Sequence, residues 1–316
     1  MLAPGLFALA ACHGVPAPDR EAARPSPPTG TSTQAFETRD GTRRVVLHLP
    51  PTQPSRSGVA RLSPLLLLLH GSNADGQEIR AQSGMDAVAD RSGVVVAYPE
   101  GVRGIFGRAS ADWNAGGCCG YAQRHEVDDV GFLRQVIDDL SARLPIDPTR
   151  IYVAGFSDGG RMAYRAACEM PDRLAAIAVV SGSLVAEDCR PSRVVPLVAV
   201  HGTADDDVSY EEPLPHAFAP AAPEGAGRLP PSVRYWARLA GCAGYREGRR
   251  RADVRRGEFQ RCPGTAIVMW SIEGGTHRWP TPLDDADGSG GAAETVLRFL
   301  LRQRAPAATH REPFTR

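Results

Sequence analysis

The 316-residue sequence has no excess of either charge, with 36 Lys+Arg against 36 Asp+Glu. A balanced chain lacks the electrostatic footprint of a nucleic-acid binder or of a protein held on an anionic membrane, and neither partner is expected. Lysine is absent, so arginine carries the positive charge. Its one dense cluster, REGRRRADVRR at 246–256, reads as a solvated loop rather than a binding patch. No transmembrane helix is expected either, because the apolar start MLAPGLFALAACH is too short to span a bilayer. The C-x-x-C and Cys/His spacings of structural zinc sites are missing, which argues against a metal. There is no internal repeat and no sign of a second domain.

What is present suits export. LAAC at 9–12 resembles a lipobox, making Cys12 a candidate for lipidation, although no Lys or Arg precedes the apolar run. A start codon placed too far downstream would account for that. The Pro/Ser/Thr-rich stretch that follows cannot form a core. The chain therefore divides into a signal-like segment (1–12), a tether (13–35), one folded domain (36–303) and a tail (304–316). An extracellular protein or a cell-envelope lipoprotein is expected. Apart from Cys12 there are six cysteines, an even set suited to disulfides in an oxidising compartment. Adjacent Cys118 and Cys119 are poorly placed to pair with each other. They are expected to reach separately to Cys168 and Cys189, leaving Cys242 to pair with Cys262.

Hydrophobic patterning gives an α/β chain. The DG at 40–41 marks a hairpin between 36–39 and 42–49, and PLLLLL at 64–69 reads as a strand buried on both faces. Further strands are expected at 94–98, 151–154, 175–181, 196–201 and 266–272. Helices are expected at 79–89, 159–169, 232–240 and 291–302, and from a cap at Asp128 or Asp129 to about Arg143. Strands alternating with helices imply a mostly parallel, doubly wound sheet covered on both faces.

The chemistry gathers around GFSDGG at 155–160. A strand before this G-x-S-x-G and a helix after it place Ser157 on a sharp turn with its hydroxyl above the sheet. A serine needs a base and an orienting acid to act as a nucleophile. His277 follows the strand at 266–272, and Asp205 follows the strand at 196–201, with Asp206 and Asp207 as neighbouring alternatives. The order serine, acid, histidine is that of α/β-hydrolases. His201 reads as a core residue, whereas His48, His125 and His216 have no attached acid or strand-end position. The oxyanion is assigned to backbone N–H groups of Asp158, at a helix start, and Ser72, in the HGSNAD loop at 70–75.

Six stretches together resemble the polyhydroxybutyrate depolymerase-like esterase family, which is similar to the feruloyl esterases of carbohydrate esterase family 1. They are LHGSNADG (69–76), DWNAGGCCG (112–120), VDDVGF (127–132), YVAGFSDGGRMAY (152–164), HGTAD (201–205) and GTHRWP (275–280). The resemblance covers roughly residues 36–303. It implies the α/β-hydrolase fold, no cofactor, and a triad of Ser157, Asp205 and His277. Members commonly show V-P-Y after the acid and Asn after the nucleophile, whereas this chain has DDVSY (206–210) and Asp158. The implied substrate is a small-molecule ester or one derived from a polysaccharide or polyester: feruloyl, acetyl or short hydroxyalkanoate. Trp113 and Trp279 are candidates to stack on it, with core or rim packing an equal alternative for each. Solid-polymer depolymerase, serine peptidase and an inactive carbohydrate-binding scaffold are the competing functions. No oligomeric state is implied.

Overall fold

The computed structural model describes residues 29–51, 62–104, 111–118, 120–215, 223–280 and 291–306. The signal-like segment with Cys12, the tether up to residue 28, Cys119, His216 and the tail from 307 lie outside the described residues.

Twelve strands are described: β1 (Gly30–Thr38), β2 (Gly41–Leu49), β3 (Ser63–Leu69), β4 (Val95–Pro99), β5 (Val102–Arg103), β6 (Ala111–Asp112), β7 (Ile146–Phe156), β8 (Ala176–Val180), β9 (Leu197–Gly202), β10 (Gly244–Arg251), β11 (Val254–Gln260) and β12 (Ile267–Ile272). The helices are α1 (Gly76–Ser83), α2 (Met85–Ser92), α3 (Gly120–Arg124), α4 (Asp129–Arg143), α5 (Asp158–Glu169), α6 (Pro231–Leu239) and α7 (Ala292–Leu300). Ten strands form one sheet in the order β1-β2-β4-β3-β7-β8-β9-β12-β11-β10. Its centre, from β4 to β12, is parallel, and an antiparallel hairpin closes each end.

β3 shows why the apolar runs make strands. Side chains alternate across a sheet, so a strand covered on both faces must be apolar throughout. Leu65, Leu67 and Leu69 join the core beneath α4, α5 and α6. Leu66 and Leu68 join the opposite core, under α1, α2 and α7. The expected α/β architecture with a mostly parallel centre is borne out.

Three local expectations are corrected. The helix expected at 79–89 is two helices, α1 and α2, broken at Gly84, whose φ of 62° ends one helix in a left-handed cap. Residues 30–35, assigned to the tether, are part of β1, where they pair with 44–49 of β2. The arginine cluster is no loop but most of the β10–β11 hairpin. Val254 and Phe259 are buried along it, the Tyr245 and Phe259 rings lie 5.1 Å apart, and arginine heads reach Glu258 at the surface. Long arginine stems can cover a sheet while their charged ends stay in water.

The N-terminal hairpin is fastened to α4 by a buried ion pair. Asp128 is the cap of α4, accepting from the Gly131 N–H, while Asp129 turns inward. Its carboxylate accepts from Arg43 at 2.7 Å and from the Asn114 N–H, and the Arg43 guanidinium also lies 4.1 Å over Phe132. Burial pushes the Asp129 carboxyl up, opposed by Arg43 and the Asn114 N–H. Breaking one side of such a pair strands the other charge. Asp129→Ala is therefore expected to lower unfolding stability by about 3–5 kcal/mol, read from the midpoint of urea denaturation; an unshifted midpoint would refute this.

Candidate active site

Ser157 stands between β7 and α5 with φ 55° and ψ −120°, a left-handed backbone that few non-glycine residues adopt. Its N–H donates to the Val180 carbonyl, and its own carbonyl accepts from Gly160 and Arg161. A Cβ at position 155 would lie 2.0 Å from the Gly159 carbonyl oxygen. One at 159 would lie 2.4 Å from that of Leu69 and 2.5 Å from that of His70. The motif glycines thus let the turn close against the end of β3.

The structure brings the expected trio together. The Ser157 hydroxyl donates to His277 Nε2 at 2.9 Å, and Nδ1–H of His277 faces both Asp205 oxygens at 2.9 Å. His277 follows β12 and Asp205 follows β9, adjacent parallel strands whose carboxyl ends open on the same edge as that of β7. Asp205 also accepts from the Val208 N–H at 2.9 Å and lies 3.3 Å from His201 Nε2. Burial alone would raise its pKa, but hydrogen bonds from His201, Val208 and His277 outweigh it and hold Asp205 well below the usual carboxylate range. Asp206 and Asp207 are exposed and outside this set; the Asp207 N–H donates to Asp205. His201 is buried, as expected, yet also touches the acid. His48 does have acids beside it, Asp90 at 2.8 Å and Asp86 at 3.4 Å, but neither belongs to the trio. His125 stacks on Tyr121.

Gly71 packs against Ser157, a Cβ there lying 3.1 Å from the serine Cβ, so the loop carrying Ser72 meets the start of α5. A cleft of about 720 Å³ opens above, lined by Gly71, Ser72, Phe156, Ser157, Val208 and His277. Asn73, Glu78, Gln82, Arg161 and Asp207 give it a polar wall that the sequence reading missed. Arg161 had a findable signal: it lies one helical turn after Ser157, on the same face.

Of the two placements open to the tryptophans, the structure has core packing. Trp113 is fully buried and Trp279 is 4% exposed, and neither lines the cleft. Trp279 packs edge-on against Phe156, which in turn lies under the His277 ring. The cysteines depart from expectation in part. Cys242 pairs with Cys262, but Cys168 pairs with Cys189, so neither reaches Cys118 or Cys119. The end of α5 and the loop after β8 come together, which sequence spacing does not reveal. Cys118 is itself disulfide-bonded and accepts from Arg161. Among the described residues no cluster of metal-ligating side chains occurs, and no helix is long and apolar enough to cross a membrane.

The family model described as Esterase PHB depolymerase matches residues 45–211. "Putative esterase NocK" of Nocardia uniformis subsp. tsuyamanensis is 29% identical, over 88% of this chain and 85% of its own length. Feruloyl esterase B of Piromyces equi is 31% identical over 69% of this chain, which spans only 40% of that protein. Among solved structures, an acetyl xylan esterase from Aspergillus awamori superposes with a TM-score of 0.56 at 13% identity, covering 78% of this chain and 94% of that one. The last likeness establishes a shared α/β-hydrolase fold.

Asp158 gives the site a measurable acid–base signature. Burial pushes its carboxyl up to about 7, opposed by the Trp113 N–H and Arg161 and reinforced by Asp112 and Asp129. Its Oδ1 has no hydrogen-bond partner among the described residues. The folded state therefore holds this proton more tightly than the unfolded chain. The associated stability is complete below the ordinary carboxylate value and is lost as pH rises through about 7. Asp158→Asn, which cannot titrate, is expected to gain melting temperature relative to the parent as pH rises from 4.5 to 8. Calorimetry at both pH values checks this; a constant difference would count against it.

Proposed function

The chain belongs to the esterase PHB depolymerase family, and from that premise we propose that it cleaves carboxylic esters through an acyl-enzyme on Ser157. The observation carrying this reading is the hydrogen-bonded series Ser157–His277–Asp205, with both links at 2.9 Å, opening on the cleft. His277 takes the hydroxyl proton as Ser157 Oγ bonds to the ester carbonyl carbon. Asp205 keeps the Nδ1–H tautomer and stabilises the imidazolium. The N–H groups of Ser72 and Asp158 receive the carbonyl oxygen as it becomes an anion. The intermediate collapses, the carbon–oxygen bond to the alcohol breaks, and His277 returns the proton to the leaving oxygen. Water then gives a proton to His277 and attacks the acyl carbon, releasing the acid and restoring Ser157.

The substrates we propose are soluble feruloyl, acetyl or short hydroxyalkanoate esters. The polar wall of Asn73, Glu78, Gln82, Arg161 and Asp207 supports polar substrates over an extended apolar chain. We further propose that the protein works outside the cytosol, supported by the Cys168–Cys189 and Cys242–Cys262 disulfides.

Ser157→Ala is expected to reduce p-nitrophenyl acetate turnover by about 10⁴-fold or more with an unchanged circular dichroism spectrum. Substantial turnover by that variant would overturn the assignment. Methyl ferulate, acetylated xylan, hydroxybutyrate oligomers and a peptide substrate assayed side by side would rank the ester classes and test peptidase activity.

A further inference from the structure

Trp113 makes two hydrogen bonds that join separate parts of the site. It follows β6 and is fully buried. Its backbone N–H donates to Asp158 Oδ2 at 2.9 Å, and its indole Nε1–H donates to the His70 carbonyl at 2.9 Å. Asp158 opens α5, while His70 lies two residues before Ser72. One residue, through its main chain and its side chain, therefore links the two segments that supply the oxyanion donors.

We propose that Trp113 is a positioning residue that fixes the separation of the Ser72 and Asp158 N–H groups, an inference that rests on reading those groups as the oxyanion donors. The surroundings leave little slack. On one side the α5 start is already pressed against the Leu69 and His70 carbonyls through Gly159. On the other, the Trp113 ring lies 5.0 Å from the His70 imidazole. His70 is anchored in turn: its Nε2 accepts from the Gly101 N–H at 2.9 Å, and its Nδ1–H lies 2.7 Å from the Gly71 carbonyl. Burial lowers the His70 pKa to about 4, so the ring is neutral at neutral pH and its Nε2 is available as an acceptor.

Donors aimed at an oxyanion act mainly in the transition state, so misplacing them lowers kcat more than it raises KM. Positional errors of an ångström in a catalytic group can cost about 10²-fold. Trp113 touches neither substrate nor the reacting atoms in this scheme. Its influence passes through His70 to one donor and through the Asp158 carboxyl to the other.

The test is Trp113→Phe, which keeps a ring in the core but removes the indole donor. With p-nitrophenyl acetate, kcat is expected to fall about tenfold with KM changed by less than about threefold. The affinity for phenylboronic acid, which adds to Ser157 as a tetrahedral anion, should fall by about the same factor as kcat. Active-site titration with a fluorophosphonate counts competent Ser157, so that misfolded protein does not enter the rates. A second pair probes the other arm. Asp158→Asn keeps an oxygen that can accept from the Trp113 N–H, and it should retain a higher kcat and boronate affinity than Asp158→Leu. Wild-type kcat and boronate affinity in Trp113→Phe would overturn the proposal, as would a loss of melting temperature without either effect. Wild-type protein that is neither active nor labelled at Ser157 would overturn the esterase reading and the brace with it.

Discussion

The turn at Ser157 is the constraint around which the molecule is arranged. Its left-handed serine backbone costs on the order of 1–3 kcal/mol and persists only where neighbouring contacts over-determine it. Those contacts come from the parallel centre of the sheet. β8 receives the Ser157 N–H, β3 ends against Gly159, and α5 begins on the Ser157 carbonyl. The remaining site residues follow from the same geometry. Asp205 and His277 come from loops at the carboxyl ends of β9 and β12, the edge on which Ser157 itself projects.

Two buried carboxyl groups close to Ser157 are shifted in opposite directions, one by the hydrogen bonds it accepts and the other by burial that its single hydrogen bond does not offset. Asp205 is surrounded by donors: His277, His201 and the N–H groups of Asp207 and Val208. It stays ionised despite burial, which the proposed orienting role requires. Asp158 has the Trp113 N–H on one oxygen and no partner for the other, so desolvation dominates. Environments that separate the acidities of neighbouring carboxyl groups allow the same chemical group to hold different charge states at one pH.

Much of this was legible in the sequence because it depends on local order. A fully apolar strand, a turn after it and a polar side chain on that turn are contiguous, which is why Ser157, Asp205 and His277, the trio that meets in the structure, stand out in the sequence. The arginine cluster at 246–256 reads as a loop because arginine conceals the two-residue alternation of a strand whose outer face is charged. Trp113 and Trp279 are ambiguous in the sequence for a different reason. An aromatic residue beside a catalytic motif can face the ligand or the core, and only tertiary packing decides which. The Cys168–Cys189 bridge is likewise a property of chain crossing, not of spacing. The broken helix at Gly84 had a local signal, a glycine inside a helical pattern, whose weight the apolar periodicity masked.

The two ends of the sheet meet the surroundings in different ways. At one, the Gln135 side chain donates to the Glu37 carbonyl of β1. At the other, β10 is the terminal strand and carries exposed Arg246, Arg250 and Arg251. A second copy approaching that border to extend the sheet would have to strip water from these charged side chains. With a formal net charge of +0, long-range repulsion between molecules is weak near neutral pH. The charged outermost strand therefore opposes open-ended stacking through the desolvation it would demand, and apolar β-formers in place of those arginines would weaken that opposition.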